Sequence, residues 1–594
     1  LALAACDGRP RSQASPPPAA RVERSDRHIA VLDLRHGAPE QAGGGVFGGP
    51  PESTLAHLVV ALRDMPQEDD LAGVFVRLGA GNTPLAQAEE IGDLLSAVRQ
   101  QHKVVCHADV YTNSTILLAA RACDEVWLSP AGNVNTIGLA GQLIFGRTLL
   151  ERLQVDVDFL QVGDFKGASE PFTRDSASPQ ARQSLEQALS GLRHSWLDGV
   201  SKARPGNSGE LGLEDGPYTA EEALQHKLID TLGFEHEARR HLLEMVGAEG
   251  FSDYFGGQPE HPSGLGEWVS TLAAGGRVAG PHIAVVLASG AIALEAGGGL
   301  GSGGINARDL ATELARVREN GDALAVVLRI DSPGGSALAS DLLWHELMRL
   351  REVKPLVVSV GGMAASGGYY LACAGQKIVA EPTSIIGSIG VVSGKLSFAR
   401  SLKEVGISVE TVPANPNASP RALYASPFVA WDEATRQRMH HTAERIYDLF
   451  LERIGSGRNM RRADIEPFAA GRIMGGRRAK EAHLIDELGG LDRALVLARQ
   501  LAKIGPDDDV AVRIMHPPSA LLSLLGLSAE QAAAQAQQRA QLQRQLRRAW
   551  RPMLSQAPHF QRLSHHGERF ISSFLPLVAG ESSVAALPYA LIIE

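Results

Sequence analysis

The chain has 594 residues, with 44% hydrophobic and 21% charged residues and a formal net charge of −10. That length supports several domains with a sizeable core, and the ordinary composition excludes a disordered or fibrous protein. The acidic balance and the lack of any dense basic block argue against a nucleic-acid partner.

The chain opens as "LALAACDGRP", with Leu1 rather than Met. "LAAC" reads as a lipoprotein processing signal in which Cys6 would become an acylated first residue. The Pro-, Ser- and Arg-rich stretch that follows suits a tether that packs no core. Residues 1–27 are therefore expected to be an anchor remnant and linker. No run of 18 apolar residues occurs, so no membrane-spanning segment is expected within the sequence. The other cysteines, Cys106, Cys123 and Cys373, lie in apolar surroundings, have no metal-ligand spacing and read as small core residues, not as a disulfide framework.

From His28 onward the chain repeats itself. "HIAVLDL" at His28 returns as "HIAVVLA" at His282, and "AGVFVRL" at Ala72 as "LAVVLRI" at Leu324. A helix follows each, with Ile91, Leu95 and Val98 in the first copy matched by Leu343, Leu347 and Leu350 in the second. This i, i+4, i+7 stripe marks a core-facing helix. "KVVCHA" then matches "PLVVSV", "VWLSPAGNVNTIGLAG" matches "IVAEPTSIIGSIGVVSG", and "HKLIDTLG" matches "AHLIDELG". Apolar runs alternating with helical patterns predict α/β layering on largely parallel strands, in tandem homologous domains over 28–275 and 280–505. "TLAAGGRVAG" at 271–280 reads as the join. From 510 to 594 the chain reads as a helical tail, with a long helix after Ser528 and an apolar end, "ALPYALIIE", suited to closing onto a groove or a neighbour.

A duplicated fold lets chemistry be found by subtraction. The second copy carries "RIDSPGGSALAS" and "AASGGYY", where the first has "RLGAGNTPLAQ" and "YTNSTIL". A turn required by the fold alone would be needed twice, so Ser366 reads as a nucleophile and Ser114, its counterpart, as silent. A serine hydroxyl needs a base. His440 and His441 sit on a helix with a surface pattern and no orienting carboxylate. The first copy holds the alternative, Lys166 in "QVGDFKGASEPFTRD", and the second copy has no lysine at the equivalent point near Ala418. One half keeps the serine and the other the lysine, as expected of a composite site.

Together "DSPGG", "GGMAASGGYY", "TSIIGSIG" and "GDFKGASEPFTRD" resemble the signal peptide peptidase A family, in its long tandem form, of S49 serine peptidases. The resemblance implies a ClpP/crotonase-like fold in both domains. It implies Ser366 as nucleophile, Lys166 as general base and Ser388 as the residue orienting the lysine amine. Gly335 would be an oxyanion-hole donor alongside the Ser366 N–H. It also implies apolar peptide substrates in the cell envelope and a homo-oligomer, typically a tetramer. "LAAC" and its tether give the expected N-terminal anchor to a membrane surface, and Asp7 after Cys6 resembles the inner-membrane retention signal of some bacterial lipoproteins, so the expected place is the bacterial inner membrane, facing the periplasm. No cofactor or metal is implied. Phe165 and Gly167 depart from the Tyr and Ser common beside the family's lysine. A crotonase-like acyl-CoA enzyme or an idle envelope scaffold are the alternatives. Phe165, Ala168 and Phe172 are the apolar neighbours expected to hold the lysine amine neutral.

Overall fold

The computed structural model describes residues 27–41, 54–81, 83–204, 209–256, 280–295, 304–412, 414–415, 419–505 and 508–515, and two short strands, Val584–Ala586 and Ile592–Ile593. Cys6, the join at 271–279 and the long helix expected after Ser528 lie outside the described residues.

The repeated apolar runs form matching parallel sheets. In the first half, His28–Asp33, Leu71–Leu78, Lys103–Thr112 and Glu125–Asn135 lie side by side, with Gly250–Phe255 on the outer edge of His28–Asp33. In the second, His282–Ser289, Ala323–Ser332 and Leu356–Ala365 follow the same order, and Ala511–Met515 takes the outer edge. Even the irregularity is duplicated: the pairing slips between His28 and Ile29, and again between His282 and Ile283. These strands are apolar on both faces, so both faces need cover.

Alternation along the strands divides that cover. Ala30, Leu32, Val74 and Val76 of the first sheet, and Ile283, Val285, Ala325 and Val327 of the second, contribute to one core. Helices Leu55–Asp64, Leu85–Arg99 and Leu491–Leu501 pack within it. The two halves thus share a helical layer between their sheets. The opposite face of the second sheet, with Val286, Leu328, Ile330 and Val358, packs under its own helices. Arg329, on the strand leading to Ser332, reaches across the shared layer. Its guanidinium meets Glu40 at 2.8 Å and Glu90 at 2.7 Å, all three side chains being almost wholly buried. A buried triad of this kind fixes how the halves dock more than it adds stability.

A third sheet stitches the halves together. Its order is Ile305–Asn306, Ile292–Ala293, Gly334–Ser336, Val584–Ala586, Val391–Ser397 and Asp156–Val162. Asp156–Val162 leads to Lys166 in the first half. It runs antiparallel to Val391–Ser397, which follows Ser388 in the second, with Val162 opposite Val391.

Three expectations are corrected here. Cys106 and Cys123 are joined as a disulfide, tying the strand Lys103–Thr112 to the end of the helix Asn113–Ala122, instead of standing as separate core thiols. Their partnership is set by tertiary proximity, which spacing alone does not reveal. All three cysteines are buried in the cores as expected, and Cys373 alone is a free thiol, pushed up to about 12 by burial. The region after 510 is not solely helical. Ala511–Met515 completes the second sheet, so that half extends past 505, and Val584–Ala586 and Ile592–Ile593 are strands. Among the described residues no helix is long and apolar enough to cross a membrane.

Candidate active site

The strand Leu356–Ala365 ends at Ser366, which turns the chain into the helix Gly367–Ala372 with φ 57° and ψ −114°. A residue bearing a Cβ seldom adopts positive φ, and holding one there costs on the order of 1–3 kcal/mol. Two bonds hold this elbow: the Ser366 N–H donates to Gly387 O at 2.7 Å, and Ser366 O accepts from Tyr370 N at 2.9 Å. Ser388 is likewise at φ 53°, and its N–H donates to Arg472 O at 2.5 Å. Both site serines are therefore presented from strained backbone clamped by neighbouring carbonyls.

The expected pairing of Gly335 with the Ser366 N–H as oxyanion donors needs correction, because that N–H is already committed to Gly387. The first helical residue, Gly367, has an N–H with no acceptor within its helix. It lies against Gly335: a Cβ added to Gly367 would sit 3.2 Å from Gly335 N and 2.7 Å from Ser340 Oγ. Gly335 has φ +155°, and a Cβ there would fall 2.1 Å from Ile292 O. Glycine at both positions leaves no Cβ between the Gly367 backbone and the Gly335 nitrogen.

Lys166 arrives from the first half. After the strand Asp156–Val162, Gly163 turns the chain at φ +109°, and the Lys166 N–H closes the turn on Gly163 O at 3.0 Å. The side chain is fully buried. Its Nζ lies 2.7 Å from Ser366 Oγ, 2.9 Å from Ser388 Oγ and 2.8 Å from Ser388 O. The stem runs along Gly390, where a Cβ would meet Lys166 Cδ at 3.1 Å. Phe172 stacks on Phe159 at 5.1 Å, and Phe165 lies under the Arg472 guanidinium at 3.3 Å.

Among the described residues no carboxylate forms an ion pair with Lys166, and burial holds its amine well below the ordinary lysine value. A neutral amine has two N–H groups and one lone pair. With the amine neutral, the two oxygens of Ser388 can take its two N–H groups, and its lone pair is left for the Ser366 hydroxyl proton, the arrangement a general base needs.

Sequence reasoning missed one supporting segment, Ala470–Arg472. Gly471 lies so close to the lysine backbone that a Cβ, at its φ of +92°, would fall 2.3 Å from Lys166 N. The flanking carbonyls of Ala470 and Arg472 accept from Phe165 N and Ser388 N, and the Gly471 N–H donates to Ile389 O at 2.7 Å. The only local signal was the Gly in "AAGRIMGG", which resembles any turn.

The other candidates stay apart. His440 and His441 are exposed on the helix Glu433–Arg458. In the first half the elbow does not form. Thr112 caps the helix Asn113–Ala122, so Ser114 is its second residue and only half exposed. Asn113 instead closes the site: its side chain donates to Gly138 O at 2.8 Å and accepts from Ile137 N at 3.2 Å.

The family model for peptidase family S49 matches residues 96–249 and 348–505. The chloroplastic serine protease SPPA of Arabidopsis thaliana is 31% identical over 461 residues, covering 77% of this chain and 67% of that protein. Protease 4 of Salmonella typhi is 31% identical over 469 residues, covering 76% of this chain and 73% of its own. Among solved structures, a membrane-bound stomatin-specific protease bound to a substrate peptide matches 42% of this chain and 99% of its own at 15% identity, with a TM-score of 0.26.

Proposed function

Because the chain belongs to peptidase family S49 and is a serine peptidase, we propose that it cleaves apolar peptides with a Ser366/Lys166 dyad built across its two halves. Membership sets aside the crotonase-like and idle-scaffold readings. The observation that carries the dyad is the 2.7 Å contact between a fully buried, unpaired lysine amine and the Ser366 hydroxyl.

Neutral Lys166 takes the hydroxyl proton as Ser366 Oγ attacks the scissile carbonyl carbon. The carbonyl oxygen, now an oxyanion, accepts from the backbone N–H groups of Gly335 and Gly367. Such donors, fixed before reaction, are each worth about 100- to 1000-fold in rate. The Lys166 ammonium then protonates the leaving amine, which departs as the acyl-enzyme forms. Water, deprotonated by the same amine, hydrolyses the ester and restores Ser366. Ser388 holds the amine throughout and so acts as a positioning residue.

The substrate runs as an extended strand between Gly334–Ser336 and Val391–Ser397, so its backbone is read more than its side chains. The protein is assigned to the bacterial inner membrane, facing the periplasm, held by an acyl chain on Cys6. The support is "LAAC" followed by a polar tether; intact-mass analysis of membrane-extracted protein should show the adduct. A homo-oligomer, with four chains as the reading, is supported by exposed apolar side chains such as Ile144, Leu149, Val405 and Ile407. Light scattering on the purified chain measures it.

A fluorophosphonate probe tests the dyad. One label per chain on Ser366, lost in both Ser366→Ala and Lys166→Met, is expected. Full labelling of Lys166→Met would remove the lysine from the mechanism.

A further inference from the structure

The slot assigned to substrate is filled by the protein itself. Val584–Ala586 runs antiparallel to the glycine strand, with Gly334 opposite Ala586, Gly335 opposite Ala585 and Ser336 opposite Val584. On its other side Val584 pairs, again antiparallel, with Val392. The same strand touches the helix Gly367–Ala372 that Ser366 begins. Ser366 itself is fully buried.

A second contact extends the pattern. Eight residues further on, Ile592–Ile593 pairs antiparallel with Gly141–Gln142 of the first half. Under the 252-residue shift that relates Ile91 to Leu343, Gly141–Gln142 corresponds to Ser393–Gly394, within the strand flanking the slot in the second half. The tail therefore docks one strand on the equivalent edge of each half. From Ser582 to Ile593 it carries no charged residue.

Two strand edges separated by one strand's width leave their N–H and C=O groups unpaired unless an extended segment enters between them, about 4.8 Å from each. A peptide substrate would supply those partners, and the tail already does. Val584, Ala585 and Ala586 are small and apolar, and apolar character is what was assigned to the substrate. We propose that the strand Val584–Ala586 is a built-in pseudosubstrate that occupies the peptide groove in its own chain and must be displaced before substrate binds. This rests on the reading of the groove as the peptide site.

The arithmetic is that of a tethered competitor. A tether of this kind gives an effective concentration on the order of 1 mM. A tail segment with an intrinsic Kd of about 100 µM would then leave the groove open roughly one-tenth of the time, raising the apparent KM about tenfold.

The test compares the full chain, a chain ending at Glu581, and Ala585→Pro, which keeps the tail but removes a strand N–H. An internally quenched apolar peptide reads kcat and KM, and a fluorophosphonate probe reads access to Ser366. Anisotropy of a fluorescent peptide of sequence 582–594 reads groove binding without catalysis. The expected result is a KM several-fold lower in both variants with kcat unchanged, and faster labelling. The fluorescent peptide should bind the shortened chain and not the full one, and should compete with substrate. Equal KM, equal labelling and equal peptide binding in the full and shortened chains would overturn the proposal. Peptide binding to the shortened chain without turnover or labelling in any form would keep the pseudosubstrate and refute the dyad.

Discussion

Replacing Lys166 by Met keeps an unbranched apolar stem as far as Cε and deletes the one atom that contacts Ser366 Oγ, Ser388 Oγ and Ser388 O. Loss of a general base removes about 10²- to 10⁴-fold of rate, and more where nucleophile and base act as a unit. We expect kcat to fall by at least about 10⁴-fold. Stability supplies a test that activity cannot. In the folded protein burial depresses the amine, so it is neutral where the unfolded chain's lysine, near 10.4, still carries a proton. The unfolded state thus binds one more proton, and wild-type stability rises with pH up to the unfolded value. For one full proton the slope is about 1.36 kcal/mol per pH unit, or about 2.7 kcal/mol between pH 7 and pH 9. The Met variant has no such group. Urea titrations at pH 7 and pH 9 should therefore show wild type gaining about that much more than Lys166→Met. Lys166→Arg places a permanent cation in the same buried site without a carboxylate, and should lose on the order of 3–5 kcal/mol as well as activity. Parallel pH dependences for wild type and Lys166→Met would mean that the folded lysine is charged, and the base assignment would fail.

Ser114→Ala should leave both probe stoichiometry and turnover unchanged, because the first half forms no elbow at Ser114 and the second half has no lysine near Ala418 to serve it; a second label per chain on wild type would contradict this. Gly471→Ala forces a Cβ to within 2.3 Å of Lys166 N and should cost about 100-fold in kcat through a misplaced amine, measured with the peptide substrate on protein whose Tm is also recorded. At the interface between the halves, burial and the neighbouring Glu89 and Glu90 raise the Glu381 carboxyl well above its ordinary value, and burial pushes Glu89 up to about 7. A raised carboxyl contributes stability that is full below about 4.3 and is lost as pH climbs through the folded value. Glu381→Gln should therefore have a higher Tm than wild type at pH 8, with the gap closing toward pH 4; thermal melts across that range would show a pH-independent gap if the carboxylate were already ionised and satisfied.

The internal repeat by itself determined most of the architecture. Strand and helix periodicities are local properties, and each copy repeats them, so the parallel sheets of both halves were readable from apolar runs such as "HIAVVLA" and the stripe Leu343, Leu347, Leu350. Comparing the copies also singled out Ser366 and Lys166, since a position kept in one copy and lost in the other is not needed by the shared fold. What the sequence could not supply was proximity. The contact between Lys166 and Ser366 joins residues 200 apart in the chain, and it exists because Asp156–Val162 pairs with Val391–Ser397. The role of Gly471 depends on the lysine backbone reaching it, and the commitment of the Ser366 N–H to Gly387 depends on how two loops stack. Cys106 met Cys123 through the packing of a helix end against a strand. The tail was read as apolar and fit to close a groove, but the groove itself is made of strands from distant parts of the chain. Backbone edges carry no side-chain signature, so only the tertiary structure decided that Val584–Ala586 would lie beside Gly334–Ser336.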